Sequence, residues 1–517
     1  MFQLSEQSLQ RGFETIQHHG YSDFFPSPPE WAAVEAGWQE LRPKLAELDL
    51  QTYIPYRPIY AHAPKSKINL RPVTLLHPVD LILYSSLVAD LTNEIDDKRI
   101  PETDDRVFSF RLGSARNELY ASEPSHAEFE AQKRLRAQAQ PSGYIGFADI
   151  TDFYSRLYQH KVRGALDACV DGVPKLEPYP RIIEGLLRRL THDGLSYGIP
   201  IGPPASRPLA EAALIDIDDE LLGSGIDFIR YIDDYVFFAS SREKVEWAIR
   251  TLGQLLDKRQ GLSLHAAKTK VMKCKKYLEA HGDDEEAEDS VESRFAKLIE
   301  EHFYDDDSGR LLDELSAEEK EALDAVDLEE ILTEALDEDE IDYKKVAFIL
   351  HRLSSFERND LIDIVLDHLP RLYPVAHALH AFFRNVEPIN AETRKKCAVK
   401  LLSPITASGD AQAPEFYAIW ILDLFGTNPV WNQANELGTV FKTTPSQAVR
   451  RYAALALSAS GRRSQALSFK DAFQSSEPLT RLALLRASRK LGADERKHWL
   501  ERVQLDWFEK FVKKHQT

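Results

Sequence analysis

The sequence predicts an α+β fold over its first half and an all-α fold over its second, and three observations carry that reading. Two apolar runs rich in β-branched and aromatic residues, GYIGFADI (143–150) and FIRYIDDYVFFA (228–239), sit among helical stretches and are bounded by turn residues. From about Tyr343 onward only amphipathic helical patterns follow, with no convincing strand. Between the two halves, the stretch from Glu279 to Asp342 holds 28 Asp or Glu against Arg294, Lys297, Arg310 and Lys320. That excess is larger than the net charge of −19 of the whole 517-residue chain, so the remainder is mildly basic and a polyanionic partner stays compatible with the composition.

The expected organisation is therefore one α+β region at 1–280, an acidic helical linker at 281–342 and a helical domain at 343–517. A hydrophobic content of 43% with 10% aromatics supports cores of that size and excludes a disordered or fibrous chain. Cys169, Cys274 and Cys397 lie far apart without CxxC spacing, which leaves neither a disulfide framework nor a zinc site and fits a reducing compartment. MFQLSEQSLQ lacks a basic n-region and an apolar h-region, and no run of about 18 apolar residues occurs. The expected location is the cytoplasm, with no membrane contact.

Along the chain, HAPKSKINLRPVTL (62–75) offers Lys65, Lys67 and Arg71 near a turn. Arginine holds a triphosphate through paired N–H groups, and lysine acts as a point charge. The GYIGFAD strand ends in Asp149, and ITDFYSRLY reads as a turn leading into a helix. FIRYIDDYVFF reads as two strands joined at an Asp233-Asp234 turn whose tip projects both carboxylates, although such a pair alone is often only a polar turn. If the two segments pair, Asp149 meets Asp233 in one cleft, an oxygen cage suited to Mg²⁺. Carboxylates so close raise one another's pKa unless a cation intervenes. Divalent ions there activate an attacking hydroxyl and stabilise a leaving pyrophosphate, which implies nucleotidyl transfer.

GIPIGPPASRPLAEAAL (198–214) is a Gly/Pro turn opening into a helix, with backbone bare enough for a base or sugar to approach. SLHAAKTKVM (263–272) offers Lys268 to a triphosphate. The acidic stretch reads as solvated loops, GDDEEAED (282–289) and DDDSG (305–309), around helices such as ESRFAKLIEEHF (292–303). In the last zone KVAFILHRL, NDLIDIVLDHL, PEFYAIWILDLFG, AVRRYAALALSASG and LTRLALLRASRKLG read as helices, with Gly426, Gly461 and Gly492 each closing one. Their spacings of 35 and 31 residues suit a HEAT-like helix-pair repeat, with a plain bundle as the alternative.

The order of these segments resembles the fingers and palm of reverse transcriptases. Within that superfamily, ADITDFYSRLYQHKV, GIPIGPPASRPLAE, RYIDDYVFF and the helical second half are similar to the bacterial abortive-infection reverse transcriptases of the AbiK type and their prophage-encoded relatives. By motif the resemblance covers about residues 50–280. It implies Asp149, Asp233 and Asp234 as catalytic carboxylates, and Asp149, Asp233 and Ile150 as the positions holding two Mg²⁺ ions. It also implies Tyr154 as the aromatic gate against a 2′-hydroxyl, Arg71 with Lys65 at the incoming triphosphate, and Lys268 as proton donor to pyrophosphate.

Two departures stand out. Ile201 lies between Pro200 and Gly202, where ordinary reverse transcriptases carry a glutamine that seats the template. The chain also turns acidic after KYLE (276–279), where a basic thumb is expected. Both agree with what the resemblance implies: template-independent DNA synthesis from dNTPs, primed on a tyrosine of the same chain, in defence against phage. It further implies a homo-oligomer, trimeric or hexameric, that carries its single-stranded DNA product covalently. Tyr21, in HHGYSDFFPSPPE (18–30), is the expected priming residue, with Tyr53, Tyr56 and Tyr60 as rivals. A templated retron-like enzyme with an RNA partner, and an inactive polymerase fold serving as a scaffold, are the alternatives.

Overall fold

A computed structural model of the chain describes residues 1–65, 69–121, 125–191, 195–281, 328–338, 341–353, 361–385, 390–431 and 433–515. Lys67 and the acidic segments GDDEEAED, ESRFAKLIEEHF and DDDSG lie outside these residues. The contacts divide the chain into two compact units, one of Met1–Tyr21, Arg42–Pro55 and Val79–Tyr304, the other of Ser22–Leu41, Tyr56–Pro78 and Asp305–Thr517. The second unit includes the antiparallel hairpin of β1 (Ile59–Pro64) and β2 (Leu70–Leu75).

In the first unit, β3 (Tyr144–Asp149), β4 (Asp227–Tyr231), β5 (Asp234–Ala239) and β6 (Lys270–Lys273) form an antiparallel sheet in the order β4-β5-β3-β6. Successive side chains alternate between faces. Ile145, Ile229, Val236 and Phe238 thus share one face, where they pack with Phe129 and Ala137 of the helix His126–Ala139. On the opposite face the helix Arg242–Leu255 buries Val245, Ala248, Ile249 and Leu252, spaced at one helical face. A Cβ on Gly146 would stand 2.3 Å from Val245 Cγ1, so this helix reaches the sheet only because β3 carries no side chain there.

The hairpin differs from the expectation in one respect. Its turn is Ile232-Asp233, not Asp233-Asp234, because Asp234 already pairs with Tyr231 as the first residue of β5. Asp233 and Asp234 therefore occupy different backbone settings, one in the turn and one in the strand.

Among the described residues, the second unit is helical apart from β1 and β2. The helices Tyr343–Leu353, Ala376–Asn385, Glu415–Thr427, Gln447–Ser460, Pro478–Ala487 and Trp507–His515 each touch the next in that series. The intervening Ile362–Asp367, Ala391–Thr406 and Ala434–Thr443 likewise touch in sequence, so the helices stack in two rows. Of the three glycines expected to close helices, Gly461 does so, its N–H donating to Leu457 O at 2.7 Å. Gly426 lies inside the last turn of Glu415–Thr427 beside the backbone of Leu455 and Ala456, where a Cβ would make ordinary contacts at 3.4–3.5 Å. Gly492 begins the following helix.

The segment Ser22–Leu41 belongs to this unit through buried polar contacts. Glu30 and Arg451, both fully buried, form an ion pair at 2.7 Å, and Tyr452 OH donates to Pro26 O at 3.4 Å. A Cβ on Gly37 would meet the Phe511 ring at 2.5 Å. His62 N of β1 donates to the Glu415 carboxylate at 3.1 Å. Among the described residues, no helix is long and apolar enough to cross a membrane.

Substituting Gly146→Val should drive side-chain atoms into Val245 and Ile249 and destabilise the first unit by about 1–3 kcal/mol. The check is the urea unfolding midpoint, with an unchanged midpoint as the contrary result.

Candidate active site

The site is built where three pieces of backbone meet. Asp149 ends β3 in register with Asp234 of β5. Two-residue alternation puts Asp149 on the same face as Ile145, and Asp234 on the same face as Val236, so both carboxylates leave the sheet on one side. The Asp149 carbonyl accepts from His265 N at 2.8 Å, Ile150 N donates to Asp233 O at 3.2 Å and Thr151 N donates to Ser263 O at 2.9 Å. These bonds fasten the end of β3 to the hairpin turn on one side and to the 263–265 segment on the other. Ile150 is buried and meets Leu264 in an isolated bridge, so only its backbone is open to ligand chemistry.

Lys268 donates from Nζ to Asp149 Oδ1 at 2.5 Å. Burial opposes its charge, but the hydrogen bond to Asp149 and the negative charges of Asp149, Asp234 and Asp233 outweigh that, and its pKa is raised. The carboxyls feel the converse. Asp233 is pushed up by burial, then by Asp234 and Asp149. Asp234 is pushed up by burial and by Asp149, against the pull of Lys268 and of Lys133 from the helix His126–Ala139. The cluster thus carries more negative charge than one ammonium neutralises.

Among the described residues, no three acidic or imidazole side chains stand closed around a single point as a ready metal cage. One Asp149 oxygen is occupied by Lys268. The donor chemistry nonetheless fits a hard divalent cation: carboxylate oxygens, unfavourably close to one another, with one contact already made to a positive charge.

The turn beside these carboxylates is strained. Ile232 has φ +54°, a left-handed conformation that a β-branched residue adopts only when its surroundings impose it. Ser109 Oγ accepts from Ile232 N at 2.9 Å and Arg230 Nη1 donates to Ile232 O at 2.9 Å, which holds both ends of that peptide pair. Arg230 is completely buried. It ion-pairs with Asp218 at 2.6 Å and Glu211 at 3.0 Å. Tyr235 OH donates to Asp218 at 2.8 Å, Ser109 OH to Glu211 at 2.6 Å, and Arg99 pairs with Glu211 at 2.7 Å. Burial works against the guanidinium of Arg230, yet Asp218 and Glu211 raise its pKa well above the ordinary value. Sequence reasoning missed this network, because Arg99, Ser109, Glu211 and Asp218 lie in segments with no shared motif.

Tyr154 lies half-buried in the short helix Phe153–Arg156, and its carbonyl accepts from Ile199 N at 3.0 Å. Gly198, at φ +87°, donates to Leu157 O at 2.7 Å, so the Gly/Pro turn with Ile201 is laid against this helix by a backbone shape that favours glycine. Ser206 Oγ donates to Pro200 O at 2.5 Å and fixes the turn's far side. Arg71 and Lys65 belong to β1–β2 and its turn in the other unit, where the Arg71 guanidinium lies 5.5 Å from the Phe24 ring centroid and Lys65 is exposed. Tyr21 is half-buried and ends the first segment of the unit that holds the carboxylates. Of its rivals, Tyr53 donates its hydroxyl to Asp80 at 2.7 Å and Tyr56 stacks on His77 at 3.7 Å. Tyr60 is half-buried in β1.

Residues 63–286 match the family model described as reverse transcriptase, RNA-dependent DNA polymerase. The chain thus carries a reverse transcriptase domain over those residues. No curated protein matches the chain. Among solved structures it is similar to apo telomerase from Candida tropicalis truncated from its C-terminal domain, with 13% identity and a TM-score of 0.33, over 47% of this chain and 55% of that one. It is also similar to telomerase from Candida albicans in complex with a TWJ fragment of telomeric RNA, with 10% identity and a TM-score of 0.33, over 74% of this chain and 69% of that one. The chain spans about 55% of the first of these.

Arg230→Met should leave Asp218 without its buried cation and Glu211 with Arg99 as its remaining ion-pair partner, a loss of about 3–5 kcal/mol. Arg230→Lys should recover only part of it, since lysine lacks the planar fork that spans both carboxylates and Ile232 O. Urea denaturation of the three proteins checks the order, and equal midpoints would contradict it.

Proposed function

We propose that the chain is a Mg²⁺-dependent DNA polymerase that needs no template, starts synthesis on its own Tyr21 and acts in abortive-infection defence against phage. The observation that carries the polymerase part is the in-register pairing of Asp149 with Asp234 on one face of the sheet, next to Asp233 and Lys268. In this reading Asp149 and Asp233, with the backbone of Ile150, hold the divalent ions, and Asp234 adds the third carboxylate. Bound there, the metal supplies activation of the attacking hydroxyl and charge stabilisation at the leaving pyrophosphate.

The chain's own groups do the rest. Lys268 Nζ, half-exposed and raised in pKa, holds a proton at the position from which pyrophosphate is protonated as it leaves. The Tyr154 ring excludes a 2′-hydroxyl, and Arg71 and Lys65 bind the incoming triphosphate. Ile201, which offers no hydrogen-bonding group to a template base, supports synthesis without a template. A primer fixed to the polypeptide replaces the grip of a thumb by raising the effective concentration of the attacking hydroxyl. The two-row stacking of the C-terminal helices supports a HEAT-like assembly surface for a homo-oligomer, trimeric or hexameric, with the DNA product attached. The acidic segment 281–342 is the linker between the polymerase region and this domain.

Incubation of purified protein with radiolabelled dNTPs and Mg²⁺, without added nucleic acid, tests the reading. Asp233→Asn should abolish incorporation while leaving circular dichroism unchanged, because the remaining carboxylates act only as a set. Incorporation at the wild-type rate in that variant, or in EDTA, overturns it.

Tyr21→Phe should keep the fold and lose the DNA that migrates with protein under denaturing conditions until protease is added. If the Phe variant still carries such DNA, priming at Tyr21 is wrong.

A further inference from the structure

A second polar cleft lies in the first unit, apart from the carboxylate site, and none of its residues has a role in the chemistry above. It has a volume of about 490 Å³ and opens at the first turn of the helix Glu6–His19, between that turn, the 112–116 segment and Lys175. Three cations face it, Arg11, Arg116 and Lys175, against the single carboxylate of Asp90, whose Oδ2 already accepts from Tyr179 OH at 2.8 Å.

Neither Arg116 nor Lys175, both exposed, has an ion-pair partner among the described residues. Arg11 is half-buried and donates from Nη2 to Thr92 Oγ1 at 3.1 Å, while its Nε is buried with no hydrogen-bond acceptor. Burial, then the like charge of Arg116, pull the Arg11 pKa down against the attraction of Asp90 and Glu94. A buried N–H without an acceptor and a like-charged neighbour both favour an anion. Asn93 adds an amide donor, and the amino-terminal turn of a 14-residue helix adds its dipole, while the Ser8 hydroxyl is already shared with Ser5 Oγ at 2.9 Å. The lining includes no aromatic ring, so nothing in it stacks a base.

From this arrangement we infer that the cleft is a binding site for a polyphosphate group, free or at the end of a nucleotide, held by Arg11, Arg116 and Lys175 with any base left in solvent. The size accommodates a triphosphate, and the excess of cations over the one carboxylate matches a ligand with several negative charges. The inference does not rest on the polymerase reading, since the cleft shares no residue with the carboxylate cluster.

The test is isothermal titration calorimetry on the full chain in EDTA at low salt, with sodium tripolyphosphate, dATP and a short oligothymidylate as separate titrants. Tripolyphosphate and dATP should both bind, and the double substitution Arg116→Glu/Lys175→Glu should weaken both by about tenfold or more, as loss of charge-assisted contacts predicts. Equal affinities identify the free polyphosphate as sufficient, and a tighter dATP identifies the nucleotide as the ligand. The inference is overturned if tripolyphosphate fails to bind, if the double variant binds it as the wild type does, or if only the oligonucleotide binds.

Discussion

Arg230 is the residue on which the geometry of the first unit turns. A guanidinium with no solvent exposure would be prohibitively costly alone, and it is stable here because Asp218 and Glu211 approach it from two sides. Each partner is itself shared: Glu211 with Arg99 and Ser109, Asp218 with Tyr235. Six side chains, from Arg99 to Tyr235 along the chain, are thereby drawn to one point beneath the hairpin. Two of these residues, Arg230 and Ser109, also bond the main chain of Ile232, so the same network that satisfies buried charge holds the turn in its strained shape. The position of Asp233 follows from that turn.

Above the network the electrostatic logic reverses. Below, every buried charge has an opposite neighbour. At the sheet's end three carboxyls have only Lys268, with weaker help from Lys133, and two of them are raised in pKa as a result. A layer that satisfies its charges and a neighbouring layer that leaves them in excess mark the carboxylate end of the sheet as the candidate site. Lys268 at Asp149 is a resident cation that partly relieves the repulsion.

What was readable from the sequence tracks how local each signal is. The strands of GYIGFAD and YVFF and the five quoted helical runs of the second half carry their periodicity within a dozen residues, and they appear close to where the pattern sets them. The hairpin was legible but its turn was placed one residue late, since Asp-Asp reads as the polar tip while strand pairing, which the letters do not display, claims Asp234 for β5. The ion network was invisible because Arg99 and Glu211 are separated by 112 positions, and charged residues in isolation read as solvated surface. The interleaving of 22–41 and 56–78 with the C-terminal helices was equally hidden. It rests on contacts such as Glu30 with Arg451, two ordinary-looking residues 421 positions apart.

That last ion pair bears on how the molecule assembles in time. The first unit draws most of its core from one continuous stretch beginning at Val79, so it can close early during synthesis. The second cannot, because Glu30, Gly37 and the β1–β2 hairpin must wait for helices made hundreds of residues later. Contacts of such long range form slowly and leave apolar surface uncovered in the interval. The amino-terminal segments therefore stay without their packing partners until the helices that carry Glu415, Arg451 and Phe511 have been made.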